Sequence, residues 1–228
     1  MAKPGIKVAK RCFIPFTDAI PLLETGDVAL FRGCSLLSWL ISGYTDSKYT
    51  HVGLVKRDEE ERIVELVEFR EFKGGRSSNL ETAVKDASGR IDIYRPVDPF
   101  VTLTPEWDAE GNLQLTTDEI PFEGKRVVRA LKILTGQPYG MSRILWLWLR
   151  KAVFLRMLMS FVPEKSEDVN AALECPVCST SVAYVFNRSG YLLLNNKNPN
   201  LVEPGEIALS PHLQYLFTLT ADTPVTKE

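Results

Sequence analysis

The stretch "TGDVALFRG", residues 25–33, sets an unbroken apolar run behind a polar turn, the pattern of a short buried strand. In "SLLSWLISGYT", residues 35–45, apolar positions recur at helical spacing and Gly43 supplies a stop, which predicts a helix. Two β-rich runs flank the charged turn "DEEE" in residues 49–72, "YTHVGLVKRDEEERIVELVEFREF", and predict a β-hairpin. A further strand is expected in "GRIDIYRPV", closed by Pro96. Residues 98–121 are rich in Pro and Thr with scattered acids and read as a long loop excursion. Val127, Val128, Leu131 and Leu134 form one apolar face of a helix that Gly136 ends. A strongly hydrophobic segment spans residues 144–162, and a polar loop leads from it to "CSTSVAYVF", where a helix is expected to begin near Cys178. The chain closes with a loop, a short helix and a last apolar run. Strands and helices mix without βαβ alternation, so the fold class is α+β, in one domain over residues 1–228.

Composition narrows the function. The chain has 27 Lys and Arg against 29 Asp and Glu, a net charge of -2, which argues against nucleic-acid binding. Its 45% hydrophobic content is ample for a core. The N-terminal stretch shows no signal-peptide pattern, and four cysteines without paired spacing point to a reducing, cytoplasmic compartment. In residues 144–162 the charges of Arg150, Lys151 and Arg156 speak against a membrane span. Two readings of that segment stay open: a buried helix with snorkelling basic ends, or an interfacial element that meets lipid, so peripheral membrane association is left open.

Cys175 and Cys178 stand three positions apart. A zinc site needs four ligands, and here a second pair is missing and the histidines, His51 and His212, are isolated. A redox pair needs a βαβ context that the pattern lacks. Two buried apolar thiols are the plain alternative. A thiol in the first turn of a helix differs, because the helix dipole and unpaired N–H groups favour the thiolate and can receive an oxyanion. Cys178 holds that position and Cys175 does not. The base would be His51, on the first hairpin strand. With the turn centred in "DEEE", the residue opposite His51 is Glu68, close enough to orient the imidazole. Glu65 is the rival if the turn lies earlier, and it would face away in the favoured register. His212 reads as a surface histidine, and Tyr139 in "GQPYG" as a residue without a catalytic role.

"GDVALFRG", "TDSKYTHVGLV", "LVEFREFKGG", "GQPYG" and "CSTSVAYVF", in this order over residues 25–210, resemble the circularly permuted papain-like proteins of the YiiX and NlpC type, with lecithin:retinol acyltransferase a more distant relative. The resemblance implies a permuted papain-like fold, with the histidine first, a polar residue next and the cysteine last. It matches Cys178 to the nucleophile, His51 to the base and Glu68 to the orienting residue, with no cofactor and no metal required. It further implies a cysteine peptidase or amidase of bacterial or bacteriophage type, acting on a peptide, amide or acyl substrate. A thioesterase or acyltransferase on a lipid-linked substrate is the alternative, and so is a catalytically silent binding protein, such as a virion component, on the same fold. "CPVC" departs from the pattern by placing a second cysteine before the nucleophile.

Overall fold

Nine strands are found among the described residues of the computed structural model, which are 11–33, 47–58, 60, 63–87, 90–107, 113–140, 176–194 and 197–222. They are β1 (Phe13–Pro15), β2 (Val28–Phe31), β3 (His51–Arg57), β4 (Val64–Arg70), β5 (Gly74–Asn79), β6 (Ile91–Pro96), β7 (Phe100–Trp107), β8 (Leu113–Ile120) and β9 (Leu213–Thr220). The helices are α1 (Phe16–Ala19), α2 (Leu80–Asp86), α3 (Gly124–Ile133), α4 (Cys178–Arg188) and α5 (Pro204–Ile207). Seven strands make one sheet in the order β1-β9-β6-β2-β3-β4-β5, antiparallel except where β1 runs parallel to β9. Mixed helix and sheet without βαβ units is the α+β class expected.

Alternation along the strands sorts the apolar side chains into two cores. Val28, Leu30, Val52, Leu54, Val67 and Phe69 pack with α3 and α4. Ala29, Phe31, Val55, Val64 and Leu66 pack with α1 and α2 instead. α3 buries Val127, Val128 and Leu131, three of the four positions its periodicity singles out, and Leu134 lies just past its end and is buried too. The buried carboxylate of Asp92 ties strands together at one place. It takes hydrogen bonds from Arg32 after β2, from Thr218 on β9 at 2.6 Å and from the Tyr49 hydroxyl at 2.5 Å. Tyr49 stands two residues before β3, so this knot fixes where His51 enters the sheet.

Residues 98–121 are not a loop excursion. They form the antiparallel hairpin β7–β8, a separate two-stranded sheet in which Phe100 pairs with Ile120 and Trp107 with Leu113. The Pro and Thr content misled because Thr is a good strand former and a Pro is tolerated where a strand has a free edge. The helix expected at residues 35–45 and the 144–162 segment lie outside the described residues, as does Cys175. No helix among the described residues is long and apolar enough to cross a membrane.

The turn between β4 and β5 carries a strained residue. Arg70 pairs with Gly74, the Lys73 N–H bonds back to the Arg70 carbonyl at 3.1 Å, and Phe72 lies between them at φ 60° with 83% of its surface exposed. A left-handed backbone at an aromatic residue is unfavourable, and Gly or Asn is the usual occupant. Phe72→Asn is expected to stabilise the fold by about 0.5–1 kcal/mol. Urea denaturation measures it, and a lower midpoint in the variant would refute the strain.

Candidate active site

α4 starts at Cys178 because Val177 is extended, with ψ 163°, and the Thr180 side chain reaches back to the Val177 N–H at 3.3 Å. The last turn holds Arg188, a charge that suits the negative end of the helix dipole, and the first turn holds no acid to offset the positive end at Cys178. Ser179 donates to the Val202 carbonyl at 2.6 Å and anchors the helix start to the C-terminal segment. Cys178 is buried and free, and a helix begins there, as the sequence pattern predicts.

His51, buried, is the first residue of β3, with its ring set edge-on against Phe31 at 5.1 Å. Its Nε2 lies 2.7 Å from Oε2 of Glu68. The hairpin register differs by one step from the expectation. Asp58 N–H bonds to the Ile63 carbonyl, so the turn is centred a residue later, and Glu68 pairs with Gly53 rather than with His51. A shift of the turn centre by one residue moves the pairing by two, which keeps the same face, so Glu68 still reaches His51 on the diagonal. Gly53 makes the diagonal passable. A Cβ there would stand 2.8 Å from Leu66 Cδ1 and 3.2 Å from the Glu68 Cβ. Glu65 pairs with Lys56 in the sheet and its carboxylate takes Lys56 and Lys132, at 3.1 and 3.2 Å. It has no part in the histidine's surroundings.

Glu68 is 1% exposed and its second oxygen is also occupied. Arg76 on β5, its direct partner in the sheet, donates to Oε1 through Nε at 2.9 Å and Nη2 at 2.6 Å, with the Ser78 hydroxyl at 3.4 Å. Burial alone would favour the neutral acid, but His51 and then Arg76 overcome it and hold the carboxyl at about 2. For His51 burial opposes the charged ring, yet Cys178 first and Glu68 second outweigh it and push the imidazole up to about 10. Its Nδ1 is buried without a hydrogen bond of regular geometry, which leaves that nitrogen for the sulfur beside it.

Tyr139 is the residue that sequence reasoning set aside. The Gly136 N–H bonds to the Gly75 carbonyl, Gly75 N–H to the Gln137 carbonyl, and Gly140 N–H to the Pro176 carbonyl. These bonds brace residues 136–140 between β5 and the start of α4. Burial, then Cys178 and Glu71, raise the Tyr139 hydroxyl, whose neighbours are the Cys178 thiol and the Cys178 backbone N–H. Arg76 was legible by counting: a three-residue turn after Arg70 puts residue 76 opposite residue 68. His212 is a correction. It is 7% exposed rather than on the surface, stacked on Phe100 at 4.5 Å, and burial depresses its pKa.

No family model matches the chain, and no curated protein does. Among solved structures the fold is similar to that of the metalloprotein YiiX from Escherichia coli O157:H7, assigned to DUF1105. The TM-score is 0.53 and the identity 14%, over 86% of this chain and 97% of that one. The likeness shows a YiiX-like fold. Whether a metal suits this site is a question of donors, and the donors do not fit. Both Glu68 oxygens are engaged by His51 and Arg76, and no three His, Cys, Asp or Glu side chains among the described residues are grouped to hold an ion.

Proposed function

We propose that the chain is a cysteine-dependent hydrolase, an amidase or peptidase of the circularly permuted papain-like kind, acting through a thioester on Cys178. The observation that carries this reading is the His51 ring held by Glu68 through Nε2 while its Nδ1 stays unbonded beside Cys178. A thiol, an imidazole and an orienting carboxylate in series are the parts of an acyl-transfer triad.

His51 takes the thiol proton and remains paired with the thiolate. The sulfur attacks the substrate carbonyl, and the new oxyanion is received by the Cys178 N–H and the Tyr139 hydroxyl. Collapse of the tetrahedral adduct breaks the bond to the leaving group, and imidazolium supplies the proton that group needs. Neutral His51 then takes a proton from water as its oxygen attacks the thioester, and the acid departs as Cys178 is restored. Throughout, Glu68 stays ionised, because Arg76 and His51 both favour its anion, so its work is to hold the ring and its charge.

An activated ester such as p-nitrophenyl acetate tests the reading. Rapid acid quenching followed by peptide mass spectrometry is expected to find one acetyl group, on Cys178, and none in Cys178→Ala. Acetylation spread over lysines, with Cys178 untouched, would leave the cysteine hydrolase without support.

A further inference from the structure

Glu68 lies between two cations. One oxygen receives His51 at 2.7 Å, and the other receives Nε and Nη2 of Arg76 at 2.9 and 2.6 Å. A carboxylate carries a single negative charge, so the more Arg76 draws on it, the less it holds a proton on the imidazole. The guanidinium is built into this position. Glu68 and Arg76 are direct partners across β4 and β5, and the adjoining Gly75 is bonded on its other edge to Gln137 and Gly136 at 2.9 and 2.8 Å. Arg70 is the other cation near this carboxylate, but its Nη1 stands 3.9 Å from Oε1, outside hydrogen-bond range. The balance matters most at one step. Burial draws the proton off His51, while Cys178 first and Glu68 second keep it on. Once the sulfur is part of a thioester it carries no charge, and of those two only Glu68 still holds the proton. The ring must be neutral in that acyl-enzyme to take a proton from water.

We infer that Arg76 is a positioning residue for the second half-reaction: by sharing the charge of Glu68 it lets His51 shed its proton in the acyl-enzyme, so that water is activated and the thioester hydrolysed. The inference rests on the cysteine-hydrolase reading and assigns a residue to its deacylation step. Arg76 itself touches no reacting atom. The groups that face His51 are Glu68 on β4, Cys178 on α4 and the ring edge of Phe31 on β2. Arg76 on β5 and Arg70 on β4 reach it through Glu68, and Tyr139, with Glu71 near it, stands beside Cys178. Lysine in place of Arg76 would keep the charge and lose the fork that gives Oε1 two donors.

The test reads the ring directly. Carbamidomethylation of Cys178 by iodoacetamide leaves an uncharged thioether that stands in for the thioester. His51 and His212 are the chain's two histidines, so two ring signals titrate by NMR, and His51→Ala identifies which is which. The Arg76 side chain is 26% exposed, so water screens part of its charge. Arg76→Gln is therefore expected to raise the pH at which His51 titrates in the capped protein by about one pH unit, and Arg76→Lys by less. With p-nitrophenyl acetate at pH 7, acetyl-Cys178 of Arg76→Gln should break down about three- to tenfold more slowly than that of wild type, followed by mass spectrometry after acid quenching. A merely structural Arg76 predicts the opposite sign: a loosened Glu68 holds the proton less well, so His51 would titrate lower. An unchanged or lowered His51 titration in Arg76→Gln overturns the inference and leaves the hydrolase reading intact. A wild type that never carries acetyl on Cys178 removes both. Thermal denaturation identifies a variant that fails to fold, and Arg76→Lys then decides: a rise in the His51 titration supports charge sharing, and none or a fall overturns it.

Discussion

In His51→Ala, alkylation of Cys178 by iodoacetamide at pH 7 is expected to slow by about tenfold or more, since an ordinary thiol is only a few per cent thiolate at that pH. The reason lies in the charge of the ring. His51 is pushed up to about 10, so it is imidazolium across the neutral range and stabilises a thiolate beside it. The pH profile carries the sign. Wild type and variant should differ most around neutrality, where the imidazolium is charged, and least well above pH 10, where it is not. Hydrolysis of an activated ester should fall further, by about 10²–10⁴, because base and acid are lost together with the ion pair. Equal alkylation rates in the two proteins would mean that thiol and imidazole are uncoupled, and the binding-protein reading would then lead.

The second large effect is on stability. Glu68→Ala removes the one carboxylate between a buried imidazolium and the guanidinium of Arg76, and breaking such a pair costs about 3–5 kcal/mol. The Arg76 side chain is 26% exposed and water can take up part of its charge, so the expected loss is about 3 kcal/mol at pH 7, the low end of that range. Glu68 is held at about 2 against an ordinary 4.5, so its contribution is complete above pH 4.5 and disappears as pH falls towards 2. The opposite sign applies to His51, raised from 6.5 to about 10: its contribution is complete below pH 6.5 and is lost as pH rises through 10. Urea unfolding of wild type and Glu68→Ala at several pH values should therefore show a gap that narrows on acidification below 4.5. A gap that stays constant down to pH 2 would show that lost packing, and not charge, accounts for the loss.

The site's members could be found in the sequence because each sits where local rules have force. A helix start is marked by the change from Pro-Val to an apolar stripe, and a hairpin register can be counted. That counting put Glu68 on the right face although its turn centre was one residue early, since strand faces survive a two-residue change of partner. What was not legible depended on contacts between distant segments. Tyr139 was given no catalytic role because nothing near it in sequence announces that Gly140 binds Pro176, two residues before Cys178. His212 sits among polar residues and was read by its neighbours in sequence, yet Phe100, over a hundred residues away, covers it. The β7–β8 hairpin was missed although "DAEGN", five residues with a Gly, stands between its two Thr-bearing runs, because the Pro and scattered acids were given more weight than that turn signal.

The place of β9 in the sheet has a consequence for how the protein is made. Leu213–Thr220 lies inside the sheet between β1 and β6, although it is the last of the described strands along the chain. A ribosome therefore finishes the hairpin that brings His51 to Glu68 long before the strand that completes the sheet has emerged. Until then β1 has no partner and β6 has an open edge, the state in which nascent chains are prone to associate. Closure thus joins strands far apart in the chain, a high contact order, and slow folding should follow. Cys178 also arrives late, so a chain interrupted during synthesis carries His51 paired with Glu68 and no thiol beside them. On the hydrolase reading proposed above such a product is inert, because Cys178 gains its imidazole only once the distant halves of the chain have met.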